Sequence, residues 1–177
     1  MIHLRNGSRV TIRPIVPTDA PLLVDAFERL SLISRHNRFL GAKTTLTPAD
    51  LRRLTIVDHH DHEALIAISV ADGRAVGVAR YIRSRDGHRA DVAVTVIDEW
   101  QRRGLARALI DRLAGRARAE GVYGASALIA DDNAGALALL RSVCEVAKVV
   151  DGGFGVTEYA VDLELVARPA LARSRVG

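Results

Sequence analysis

The chain has 177 residues, 49% hydrophobic and 26% charged, which is ordinary usage for one compact domain with a sizeable core. Its longest apolar runs, residues 64–70 and 125–130, fall far short of the ~20 needed to cross a bilayer, and its first residues lack a secretory pattern. A single cysteine, Cys144, excludes an internal disulfide framework and fits a cytoplasmic protein; the excess of 23 arginines over two lysines gives a net charge of +4, which either reflects base composition or serves a phosphate-rich partner.

In chain order, residues 8–13 read as a strand with Val10 and Ile12 at period two. Thr18 and Pro21 open a helix over 19–30, whose Leu22, Leu23, Ala26, Phe27 and Leu30 recur at helical spacing. Ser31 caps a second helix to about residue 40, ended by Gly41. Thr47-Pro48 starts a third through residues 51–55.

Residues 63–70, 75–83 and 89–97 then alternate as strands, with Asp72-Gly73 and Asp86-Gly87 as hairpin signals between them. Residues 104–120 form a long amphipathic helix stopped by Gly121. A buried strand over 124–130, a helix over 133–144, and two strands over 147–150 and 155–163 around the turn 151–153 complete the pattern. The order β–α–α–α–β–β–β–α–β–α–β–β predicts an α/β fold of the mixed α+β kind. Its sheet is twisted and mostly antiparallel, with about six to seven strands and helices on both faces. The strand–helix–strand unit from 89 to 130 imposes one parallel pair. Residues 1–166 are expected to form a single domain and 167–177 a flexible tail.

The segment from Ala90 to Ala108 carries chemistry. A strand runs into Gln101-Arg102-Arg103-Gly104-Leu105-Ala106, which opens the long helix. Amides at a helix start lack intrahelical partners, and the helix dipole adds partial positive charge there. Arg102, Arg103 and Arg107 sit at the end where the dipole disfavours cations, as makes sense if an anion lies between them. On the strand, Val92, Val94 and Val96 share the face that wants a helical layer, while Asp91, Ala93, Thr95 and Ile97 share a small polar face that suits a cleft. Taken alone, the loop could equally be a plain helix start with solvated arginines.

Gln101–Ala106 resembles the Gln/Arg-x-x-Gly-x-Gly/Ala signature of the GNAT superfamily of N-acetyltransferases, and Asn133-Ala134-Gly135-Ala136 resembles that family's Asn-x-x-Ala helix start. Ser34–Phe39, Gly77–Tyr81 and Arg89–Asp91 are similar to the bacterial subgroup related to protein lysine acetyltransferases that modify acyl-CoA synthetases.

The resemblance implies acetyl-CoA as cosubstrate and a primary amine, such as a protein lysine, as acceptor, by direct transfer within a ternary complex. The backbone amides of Arg102, Arg103, Gly104, Leu105, Ala106 and Arg107 would hold the pyrophosphate. Thr95, Val96 and Ile97 would pair with pantetheine, the Val96 N–H polarising the thioester carbonyl. Asn133 would reach the pantetheine arm, or simply cap its helix.

Asp91 stands where family members often carry a glutamate base, and is one methylene shorter; its other reading is an ion pair with Arg89 or Arg80. The usual tyrosine acid is replaced by Leu140, and Cys144 reads as a buried structural thiol. Glu99 is expected to face solvent. His59-His60-Asp61-His62-Glu63 lacks helical ligand spacing and reads as a polar loop near the acceptor entrance, not a metal site. His36 and Arg38 are expected on the acceptor wall. Seven aromatics give the arginines no stacking platform for nucleic acid. The remaining alternatives are a small-molecule amine acetyltransferase and a non-catalytic acyl-CoA-binding regulatory module. Either a monomer or a homodimer would serve.

Overall fold

A computed structural model describes residues 1–143, 147–153 and 155–163. Cys144 and the tail 167–177 lie outside the described residues. The elements are β1 (Ile2–His3), β2 (Arg9–Pro14), α1 (Ala20–Glu28), α2 (Leu32–Phe39), α3 (Pro48–Thr55), β3 (His62–Ser69), β4 (Ala75–Arg83), β5 (Arg89–Val96), α4 (Leu105–Ala119), β6 (Gly124–Ala130), α5 (Ala134–Val143), β7 (Ala147–Gly153) and β8 (Val156–Asp162). Among the described residues they make one eight-stranded sheet in the order β1-β2-β3-β4-β5-β6-β8-β7. Every neighbouring pair is antiparallel except β5–β6, whose parallel connection runs through α4.

The alternation of β3 divides the interior. Ala64 and Ile66 join Ile15, Leu23 and Leu54 under α1 and α3, whereas Leu65 and Ala67 join Leu105, Leu109 and Leu113 of α4 on the opposite face. Helix α5 shares the α4 face through Leu140 and Val143. Gly77 lets α4 approach the sheet: a Cβ there would lie 3.1 Å from the Leu109 Cδ1 and 3.1 Å from the Thr95 carbonyl oxygen.

Local chemistry moves several expected boundaries. Thr18 does not cap α1. Residues Pro17–Asp19 form a 3-10 turn, and the Asp19 carboxylate accepts from the Val16 N–H at 2.9 Å and from both Arg13 Nη groups at 2.7 and 2.6 Å. Helix α2 is capped by Ser31 Oγ as expected, but it ends at Leu40 in the left-handed region (φ 50°), one residue before Gly41. Thr47 and Asp50 form a reciprocal capping box that starts α3 at Pro48. Residues 151–153, expected as a turn, remain in β7.

Arg13 holds the Asp19 carboxyl below its usual range, with burial opposing and the Val16 N–H assisting. Asp19→Ala is expected to lower the unfolding free energy by about 1–3 kcal/mol at pH 7, measured by urea denaturation. Because the folded carboxyl is the stronger acid, this contribution is complete above the unfolded value of about 3.9. It is lost as pH falls through the lower folded one, so wild type and variant converge in acid.

Candidate functional site

Strands β5 and β6 pair only at Arg89 with Gly124, Ala90 with Ala125 and Asp91 with Ser126. Beyond that point β6 stays with β8 and β5 with β4, so the sheet opens between them. A cavity of about 540 Å³ fills the opening, reaching Val92, Val94, Ile110, Leu140 and Val143 on the α4–α5 side and Asp91, Arg38, Arg53, His62 and Arg80 on the other.

The free edge of β5 faces this opening. Ile97 N–H donates to the Val76 carbonyl of β4 at 3.2 Å. Backbone direction alternates along a strand, so the N–H and C=O of Val96 and Val94 point away from β4, towards the gap. Gln101 Nε2 donates to the Val96 carbonyl at 3.1 Å, which agrees with that direction and ties the loop to the strand end.

The loop itself is a run of turned amides. Arg102 (φ 59°) and Gly104 (φ 87°) both adopt left-handed backbone, and Gly104 is the N-cap of α4. Successive N–H groups in such conformations make a concavity for anions, reinforced by the free amides of the first turn, Leu105, Ala106 and Arg107. Side chains divide differently. Arg103 stacks on Trp100, its guanidinium carbon 5.1 Å from the ring centre. Arg107 turns away to Asp111 (2.8 Å) and to the Ser142 carbonyl, so only its backbone serves the loop. Thr95 is half-buried with its Oγ1 unpartnered, and Ile97 is buried.

Asp91 does not ion-pair with Arg89 or Arg80. Its Oδ1 accepts from Ser126 Oγ at 2.6 Å, across the last pair before the strands part. Asn133 Oδ1 accepts from the Ala136 N–H at 3.0 Å, a cap for α5, and the residue also lines the cavity. Leu140 faces the cavity where a tyrosine would stand, and among the described residues no tyrosine lines it. Tyr81 is buried, donates to the His60 carbonyl at 2.8 Å, and is pushed up to about 12 by burial.

The histidine segment disperses. His59 Nδ1 meets the fully buried Glu63 at 2.7 Å, and Glu63 also binds Arg116, so Glu63 belongs to the core and not to a polar loop. His60 pairs with Glu120 at the surface, and His62 enters the cavity wall. Arg38 lines the cavity; His36 does not. Glu99 is exposed.

Sequence reasoning missed Ser126, Asp98, the buried setting of Arg80 and the half-buried His62 beside it. Asp98 accepts from the Ser31 N–H (3.0 Å), Ser31 Oγ (2.8 Å) and Ser34 Oγ (2.9 Å), fastening the start of α2 beside the loop. Burial would raise its carboxyl, but these hydrogen bonds outweigh burial and hold it below the usual value. The serine cap of α2 was legible; its partner 67 residues away was not.

With this geometry in view, the chain was compared with known proteins. Residues 30–144 match the family model described as "Acetyltransferase (GNAT) family". "Acetyltransferase PA5475" of Pseudomonas aeruginosa is 35% identical over 120 residues, 67% of this chain and 64% of that protein. "Acetyltransferase Pat" of Mycolicibacterium smegmatis is 30% identical over 135 residues, 75% of this chain and 40% of that protein. The match therefore spans less than two thirds of either curated relative. The crystal structure of the GNAT domain of S. lividans PAT superposes with a TM-score of 0.82 at 28% identity, covering 91% of this chain and 94% of that one. The chain belongs to the GNAT acetyltransferase family. No helix among the described residues is long and apolar enough to cross a membrane.

Asp98→Ala should cost about 1 kcal/mol of stability and loosen the start of α2. Amide exchange over residues 31–35 is expected to speed up while the core strands keep their protection.

Proposed function

We propose that this GNAT family member binds acetyl-coenzyme A along the free edge of β5 and transfers the acetyl group to a primary amine by direct attack. The observation that carries this reading is the departure of β5 from β6 after Asp91. It leaves outward-facing backbone groups at Val94 and Val96 between a helix N-terminus and a carboxylate. Those residues suit the ligand. The amides of Arg102 to Arg107 take the pyrophosphate, and the edge of β5 at Val94 and Val96 takes the amide-bearing pantetheine arm as a further strand would be taken. Thr95 and Ile97, expected to share that pairing, turn their backbone groups to β4 instead. Asn133 flanks that arm. The Val96 N–H donates to the thioester oxygen as negative charge develops there.

The amine nitrogen attacks the carbonyl carbon, the C–N bond forms, and the C–S bond then breaks. Asp91 receives the proton that the ammonium must lose, with Ser126 O–H fixing the carboxylate. Leu140 offers no proton to the departing thiolate. A thiol of pKa about 8.5 leaves acceptably without one.

Two acceptor classes follow from different observations. A protein lysine is supported by the likeness to proteins called Pat. A small-molecule amine is favoured by the size of the cavity and the cations that line it.

Calorimetric titration with acetyl-CoA should give saturable binding to wild type. Gly104→Ala strains the φ of 87° by about 1–2 kcal/mol without adding charge and should weaken it modestly, whereas Gly104→Glu should abolish it while the protein stays folded. Wild type that folds but does not bind would overturn the reading. Asp91→Asn should bind acetyl-CoA as wild type does and lose about 10²-fold or more in kcat; equal absence of turnover in both forms would favour a regulatory acyl-CoA-binding module.

A further inference from the structure

Asp91 and Glu158 line the same cavity as a cluster of cations on its α1–α3 side, yet none of these arginines forms an ion pair with either. Arg80 is only 5% exposed. Its Nη2 donates to the Leu54 carbonyl at 3.1 Å, and its Nη1 lies 3.2 Å from His62 Nε2, while its Nε has no partner. Arg38 and Arg53 line the same cavity, and no carboxylate of the described residues forms an ion pair with any of the three. A buried guanidinium without an anion costs several kcal/mol. Burial, with Arg38 and Arg53 adding repulsion, lowers the Arg80 guanidinium to about 9, which still leaves it charged at neutral pH. His62 is pushed down first by burial and then by Arg80, so it is neutral and can accept from Arg80 without adding charge.

Position completes the argument. Arg80 pairs with Ala93, and Asp91 is two residues further along the same face of β5. Such diagonal neighbours lie about 7–8 Å apart. Thr95, whose Oγ1 is also buried without a partner, is the diagonal neighbour on the other side, and Arg80, Arg38 and Thr95 line a second small cavity between α1, α2 and β4. Arg80 thus stands diagonally across β4 and β5 from the proposed base.

We propose that the acceptor carries its own carboxylate, which Arg80, Arg38 and Arg53 bind while its amine reaches Asp91: an amino-acid-like zwitterion and not the side chain of a lysine in a basic peptide. This rests on the amine-transfer reading above. Guanidinium and carboxylate are matched in shape and charge, and the cavity volume of about 540 Å³ suits a small molecule beside the acyl arm.

The experiment measures CoA release with acetyl-CoA and a panel of L-amino acids. Each is paired with its methyl ester and its decarboxylated amine, and a lysine-containing basic peptide is included. At least one amino acid should be preferred over its ester and its decarboxylated amine by about 10–100-fold in kcat/KM. Arg80→Met should erase that preference, chiefly through KM for the acceptor, and Arg80→Lys should restore part of it. Arg38→Gln, at a partly exposed position, should weaken it without endangering the fold. Calorimetry with acetyl-CoA on each variant separates the two readings. Absent binding to wild type overturns amine transfer and this inference together. Retained binding with esters or the peptide used as well as the free acids overturns the carboxylate site alone, as does retained binding with no amino acid turned over. A discrimination that follows the acyl group of the donor and not the acceptor also overturns it.

Discussion

Everything at this site depends on where β5 stops pairing with β6. A parallel pair is held by backbone hydrogen bonds, and here the pairing ends at Asp91 and Ser126. From that point each strand has another neighbour, β4 for one and β8 for the other, so neither collapses when they part. The opening is therefore stable with backbone groups of β5 left unmatched inside it. Buried backbone polar groups need partners, and an amide-bearing chain laid along the gap supplies them. The hydroxyl-to-carboxylate bond between Ser126 and Asp91 lies at the mouth of the same opening. The residue proposed as base is thus fixed by the feature that creates the cleft.

The two faces of the sheet meet the opening with different chemistry. On the α4–α5 face it is walled by Val92, Val94, Ile110, Leu140 and Val143; on the other it meets Asp91, Ser126, His62 and the arginines. The period of two along β5 accomplishes this division, with valines at even positions and small or polar residues at odd ones. The loop at its end is fastened from both sides. Gln101 holds the Val96 carbonyl, and Asp98 holds the start of α2. The wall that carries Arg38 is in this way joined to the segment that presents the helix amides.

Much of this was written locally. The hairpins at Gly73 and Gly87, the caps at Ser31 and Thr47, the strand–loop–helix at Gly104 and the two faces of β5 each depend on neighbours within a few residues, and sequence spacing reports them. What escaped depends on register between distant segments. Arg80 is one arginine among 23 until β4 is set against β5 and burial is known. Ser126 becomes the partner of Asp91 only through the parallel register. Spacing favours Thr18 as the cap of α1, but Asp19 occupies the N-cap position without a side-chain cap bond, because its carboxylate is taken by Arg13, six residues before it, and by the Val16 N–H. Glu63 looked like part of a polar loop because its partner Arg116 lies on another element, 53 residues away.

The departures from the family pattern fit together once the arginines are taken into account. Asp91 is a shorter base than the usual glutamate, and Leu140 removes the usual acid. Both losses matter most for an acceptor whose ammonium is hard to deprotonate and for a thiolate that departs into neutral surroundings. Neither condition holds beside Arg38, Arg53 and Arg80. Like charge disfavours an ammonium brought near them and shifts it towards the neutral, nucleophilic amine. A carboxylate on the same molecule answers only part of three cations. The remaining positive potential favours negative charge developing on oxygen and then on sulfur. A field set by the buried Arg80, with the more exposed Arg38 and Arg53 beside it, can thus supply some of what a longer carboxylate and a tyrosine supply elsewhere. The same field would disfavour acceptors that bring positive charge alone, as the carboxylate proposal requires.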